Sequence, residues 1–127
     1  MASKRPSQAA VLRRVHYWKK RLNLHEYRVG VEFGPDPDPE AGADADCLAM
    51  PEYLEAKVRF DLDAIDPERI DQFVVHELLH IPTWRLVNFA SSMCGEDAAK
   101  VETLREHNEL LVTYLDRLVL ALTQETT

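Results

Sequence analysis

The stretch VVHELLHIPTW, residues 74–84, decides how the chain is read. It sets His76 and His80 four residues apart, puts Glu77 directly after the first, and places Pro82 two residues beyond the second. On a helix, residues four apart share one face with about 5–6 Å between Cβ atoms. Two imidazoles at that spacing can bind one zinc ion at about 2.0–2.1 Å each. Glu77 points about 100° round the helix from His76, close enough to reach a water on such an ion without ligating the ion. The ion acidifies the water, and the carboxylate takes its proton and later hands it to a leaving group. That is the physical content of an H-E-x-x-H helix. The competing reading is an apolar helix that buries two structural histidines.

The flanking sequence favours a helix. Asp66-Pro67-Glu68 supplies an N-cap, a proline at the first helical position and an acid in the first turn. The helix so started runs through RIDQFVVHELLH, and Pro82 is expected to stop or kink it. Thr83 then caps a further helical piece through Met93, SSMCGED makes a turn, and a long helix follows from about Ala98 to Leu122.

Upstream, Val11, Leu12, Val15, Trp18 and Leu22 fall at helical spacing and predict an amphipathic helix over residues 7–22. Tyr27, Val29, Val31 and Phe33 alternate with Arg28, Gly30 and Glu32, the pattern of a half-buried strand. A second strand is expected over 47–53, interrupted by Pro51 as an edge strand allows. A third covers AKVRFDLDA, residues 56–64, with Val58, Phe60 and Leu62 on one face. Between the first two lies GPDPDPEAGADAD, residues 34–46, too rich in proline, glycine and acid to bury a core and expected to be a mobile surface loop. Its carboxylates do not match the spacing of a calcium-binding loop. A helix, three strands and then helices make an α+β domain.

At 127 residues the chain fits a single domain, with 46% hydrophobic and 29% charged residues, ordinary values for a globular protein. No apolar run is long enough to span a bilayer, and the basic N-terminus lacks the apolar segment of a secretory signal. Cys47 and Cys94 form no CxxC and read as reduced thiols of a cytoplasmic protein. The net charge of −7 is uneven. Residues 1–21 hold seven basic residues and no acid, which leaves eight basic against 22 acidic residues in the remainder. That surface argues against a nucleic-acid binder, although the basic first helix offers a possible contact for a phosphate or an acidic partner.

FVVHELLHI resembles the extended helix motif of the zincin metallopeptidases. The wider layout runs from a tryptophan-bearing first helix and LNLHEYRVGVEF to strands, VVHELLH and a glutamate-rich last helix. It looks like that of the small SprT-like and ImmA/IrrE-like proteins common in phage and prophage genomes. The resemblance implies a minimal zincin-like domain, a zinc ion, and peptide-bond hydrolysis with Glu77 as general base. It also implies a peptide or protein substrate paired with an edge strand above the cleft, where strand addition satisfies its backbone. Pro82 departs from the family pattern, which has a helix-compatible apolar residue there.

A catalytic zinc site has three protein ligands and an open position. HNELLVTYLD loosely resembles the second glutamate motif of the gluzincin branch and favours Glu109 as the third ligand. Glu106 and Glu102 stand on the same helical face, and His107 is a rival because SprT-like proteins use a third histidine. Leu104, Asn108, Leu111, Leu115, Leu118 and Leu122 form the main apolar stripe of that helix, and the glutamates lie nearly opposite it, as on a solvated acidic face. Tyr114 or Tyr53 is a candidate for stabilising an oxyanion, and Asp116 for orienting a zinc histidine, although its type favours the surface. Trp18 and Trp84 read as packing residues, and His16 and His25 have no partner pattern. The alternative function is a non-catalytic binding or regulatory protein on the same scaffold.

Overall fold

The structure, a computed structural model, describes residues 5–38 and 42–125. Lys4 of the basic N-terminal segment and residues 39–41 of the acidic loop fall outside that range. The fold is α+β: helix α1 (Gln8–Arg21), strands β1 (Arg28–Phe33), β2 (Ala45–Met50) and β3 (Glu55–Phe60), then helices α2 (Ile70–Met93) and α3 (Ala98–Glu125). No described helix is long and apolar enough to cross a membrane.

Local chemistry sets the bounds of α1. The Ser7 hydroxyl accepts from the Ala10 N–H at 3.0 Å, closing the N-terminus. At the other end Asn23 takes a left-handed φ of 60°, while the Leu24 N–H donates to Lys19 O and the Asn23 N–H to Lys20 O. This is the Schellman arrangement with asparagine where glycine is commoner. Val11, Val15 and Trp18 are buried on one face. Trp18 donates its indole N–H to Asp71 on α2 at 2.9 Å, and Arg14 grips the same carboxylate with two bonds. One residue of the basic helix is thus a packing device.

The sheet has the order β1-β3-β2, with β1 parallel and β2 antiparallel to β3. Ala56, Val58 and Phe60 of the central strand are buried in the core with Leu78, Val74 and Val75 of α2. Three strand expectations need correction. β2 begins at Ala45, inside the stretch expected to be loop, because Ala45 and Asp46 pair with Phe60 and Arg59 of β3. Pro51 does not interrupt β2 but ends it, opening a short 3-10 turn, Pro51–Tyr53, because proline has no N–H for the ladder. β3 stops at Phe60, where the Asp61 carboxylate accepts from the Asp63 N–H and bends the chain.

The described ends of the acidic loop are tied down. Arg59, only 6% exposed, donates to Gly34 O at 2.7 Å, Ala43 O at 2.8 Å and Asp46 Oδ2 at 2.9 Å. Asp36 accepts from the Ala43 N–H and helps close the loop on itself.

Asp66 caps as expected, accepting from the Glu68 N–H, and a 3-10 turn (Pro67–Arg69) leads into α2. Pro82 does not end that helix, which continues unbroken to Met93. The proline faces solvent while Ile81 is buried and Thr83 and Trp84 are half-buried. Packing on the opposite side therefore carries the helix through, and the Thr83 hydroxyl donates to the carbonyls of Leu79 and His80. The chain turns only at Gly95, in left-handed conformation at φ 62°, and α3 returns antiparallel along α2.

Candidate metal centre

The first half of α2 has three faces. Val74, Val75, Leu78 and Ile81 enter the core, Glu77 turns toward β2, and His76 and His80 turn toward α3. The two imidazoles stand edge to face with centroids 5.2 Å apart. From α3, Glu109 reaches both: Oε2 lies 3.0 Å from His76 Nε2 and Oε1 lies 2.8 Å from His80 Nε2. One donor atom from each of the three residues falls within 4.8 Å of the others.

The opposite edge of His76 is also held. Its Nδ1–H donates to Asp116 Oδ2 at 2.9 Å, and Asp116 is 1% exposed. The second oxygen of that carboxylate, Oδ1, is buried without a hydrogen-bond partner among the described residues. A proton fixed on Nδ1 leaves Nε2, which here bonds to Glu109, as the ring nitrogen that would face a metal once it gives up its proton. His80 has a weaker counterpart, with the Asn108 side-chain amide 3.5 Å from its Nδ1.

These residues fit a metal. Two imidazoles and one carboxylate form a donor set that zinc takes in hydrolytic sites, and tetrahedral bonds of about 2.0–2.1 Å call for donor atoms about 3.3 Å apart. The separations of Glu109 from the two histidines are close to that.

The electrostatics follow from the same contacts. Burial opposes a charge on His76, but its bonds to Glu109 and Asp116 and the nearby Glu77 outweigh that and hold its pKa up to about 9. Hydrogen bonds from His76 and His80 hold the Glu109 carboxyl well below the usual carboxylate range. Glu77, 6% exposed, is pushed by burial up to about 7 against the pull of the two histidines. Its carboxyl thus sits where a group that must take and return a proton near neutral pH works best.

Glu77, the two histidines and Glu109 open onto a cleft of about 540 Å³ bounded by β2, α2 and α3. A second cleft of about 370 Å³ adjoins it across His76 and Glu77. Cys47 of β2 lines the larger cleft as a free thiol. Burial, with the charges of Glu77 and Asp46, pushes it up to about 12, so no thiolate forms there at neutral pH and a cysteine nucleophile is disfavoured.

Of the third-ligand candidates, the structure brings Glu109 to the histidines. Glu106 and Glu102 line only a shallow outer groove, and His107 is exposed outside the group. The apolar-stripe difficulty resolves by rotation. The seam of α3 against α2 centres on Val112 and Asp116, both buried, whereas Leu111, Leu118 and Leu122 are 47%, 41% and 54% exposed. The helix is turned by about one residue step of 100° from the orientation its leucines suggest, which carries Glu109 to the edge of the seam.

Tyr53 and Tyr114 are exposed and line neither cleft. His16 and His25 are also exposed. Trp84, expected as a packing residue, does pack against the core and also forms part of the cleft wall. Asp116 is the residue that sequence reasoning undervalued. Its signal was spacing: it follows Glu109 by seven residues, two helical turns, and so shares its side of α3.

Compared with protein-family models, curated proteins and solved structures, the chain matches none.

Proposed function

We propose that the protein is a zinc-dependent, peptidase-like hydrolase. The observation that carries this reading is the convergence of His76, His80 and Glu109 beside a buried Glu77, with Asp116 holding His76 from behind. His76, His80 and Glu109 would hold the ion. When bound, zinc supplies Lewis acidity that polarises a carbonyl and makes water nucleophilic at neutral pH.

The chain's own residues supply the rest. Glu77 accepts the proton that water releases as it attacks and returns it to the departing amine. Burial suits it to both tasks by raising its affinity for the proton. Asp116 keeps the His76 ring in one tautomer and orientation. Substrate binding falls to β2, a sheet edge whose other side is bonded to β3. An extended peptide that joins this edge lies across the mouth of the cleft with its backbone hydrogen bonds satisfied.

Glu77→Gln tests the assignment. It removes the base and keeps the shape, so bound zinc should be retained while hydrolysis of a mixed peptide library is lost. Hydrolysis that survives the substitution refutes the role given to Glu77.

A further inference from the structure

The larger cleft extends well past the metal-binding residues, and its composition changes along the way. Trp84 and Val87 follow His80 on α2 by four and seven residues, about 6 and 10 Å along the axis at 1.5 Å per residue. With Ala45 and Cys47 of β2 they form an apolar wall. Beyond them the lining becomes Asn88 and Ser91. Arg105, on the antiparallel α3, lines the same cleft, one turn or about 6 Å along its helix from Glu109.

Among the described residues Arg105 is a cation without an ion-pair partner. Glu102 and Glu106 are its neighbours on α3, yet among the described residues no carboxylate pairs with its guanidinium. It faces both the main cleft and the outer groove. The acids of the main cleft, Glu77, Glu109 and Asp46, have other environments: the first two belong to the metal-binding end and Asp46 is bound to Arg59. A guanidinium in a groove, bordered by neutral donors, matches a carboxylate in both charge and geometry.

We infer that the cleft selects peptides with a bulky apolar side chain next to the scissile bond and a carboxylate one or two residues further out on the same side. Trp84 and Val87 receive the first group and Arg105 the second. The spacing suits this, because an extended chain advances about 3.3 Å per residue and helical side chains lean toward the N-terminus of their helix, which for Arg105 is the end away from Glu109. This inference rests on the hydrolase reading and names its substrate class.

The test compares zinc-loaded wild type, Trp84→Ala and Arg105→Glu on peptides of fixed length. These carry Phe or Ala beside the expected bond and Asp or Lys at the next two positions. Wild type should favour Phe-then-Asp over Phe-then-Lys by about tenfold in kcat/KM. Arg105→Glu should reverse that order, and Trp84→Ala should remove most of the preference for Phe over Ala. Arg105 lies on an exposed helical surface, so the charge reversal does not disturb the core.

Binding to the Glu77→Gln protein gives an independent readout, because Trp84 lines the cleft while the only other tryptophan, Trp18, is 2% exposed. Quenching that favours the acidic peptide and reverses in the Arg105→Glu/Glu77→Gln pair supports the inference even if wild type cleaves nothing, an outcome that defeats the hydrolase reading alone. Cleavage by wild type without charge preference, or with a preference that Arg105→Glu leaves intact, overturns the inference and spares the hydrolase reading. Neither cleavage nor binding overturns both.

Discussion

Asp116 accepts a hydrogen bond from Nδ1 of His76 at 2.9 Å while almost wholly removed from solvent. A buried carboxylate is costly unless something offsets its desolvation. Here α3 buries that acid and leaves Leu111, Leu118 and Leu122 substantially exposed. A helix oriented by apolar burial alone would make the opposite choice. The arrangement makes sense if Asp116 and Glu109 together serve the histidine pair, one from behind and one in front.

Removing that support should weaken the centre without dismantling it. In Asp116→Ala, His76 loses its Nδ1 partner and its fixed tautomer. Zinc affinity, read by competition with a chromophoric chelator, should fall about 10- to 100-fold. Unchanged affinity would show that Asp116 does not orient the ligand.

The pH dependence of stability should differ between the metal-free and zinc-loaded protein. In protein stripped by a chelator, His76 has a folded pKa of about 9, above its ordinary value of 6.5. Its contribution is therefore complete below about pH 6.5 and lost as pH rises through 9. Glu77, raised from 4.5 to about 7, acts in the same direction at lower pH: its contribution is complete below about pH 4.5 and lost as pH rises through 7. Glu109, lowered by the histidines, contributes above its ordinary pKa and loses that contribution only in strong acid. The stripped protein should therefore lose melting temperature from pH 6.5 to 9, and His76→Asn should flatten the upper part of the decline. With zinc present, deprotonation of the ligands favours binding, so stabilisation by the metal should rise over the same range. Parallel pH profiles with and without zinc would contradict the assigned contacts.

Pro82 faces solvent inside a continuous helix and leaves the Leu78 carbonyl without its usual N–H donor. Pro82→Ala should raise unfolding free energy by about 1–3 kcal/mol, measured in urea, with zinc affinity unchanged. A loss of stability would mean that the proline fixes a bend on which the packing of Ile81 or Thr83 depends.

Arg59 ties Gly34, Ala43 and Asp46 together from a nearly buried position. Arg59→Met keeps much of the stem and leaves those acceptors without a donor, so stability should fall by about 2–3 kcal/mol. The half-exposed side chain of Asp46 recovers some hydration, which limits the loss. Equal urea midpoints for the two proteins would show that the clasp is dispensable.

The elements were legible in the sequence where period and capping agreed. Asp66 caps, the apolar spacing of α1 faces the core, β1 alternates, and the H-E-x-x-H spacing sets both imidazoles on one helical face. The errors came from positions where tertiary packing overrides local preference. Pro82 breaks a helix only if nothing on the far side holds it, and Ile81 does hold it. The rotation of α3 was hidden because counting leucines assumes that the most apolar face is the buried one. Asp116 reverses that assumption, and the group it serves lies forty residues away in the sequence. Arg59 was equally opaque: nothing near it in sequence reveals that it reaches back to carbonyls at positions 34 and 43.

Zinc titration distinguishes a metal centre at His76, His80 and Glu109 from a purely hydrogen-bonded cluster of the same residues. Wild type, Glu109→Ala and His107→Ala, each stripped and then titrated with zinc against a competing chelator, separate the possibilities. One zinc should bind tightly per wild-type chain, with affinity lower by about a hundredfold or more in Glu109→Ala and unchanged in His107→Ala. Absence of tight binding in wild type, or a loss in His107→Ala that Glu109→Ala does not share, would contradict this assignment.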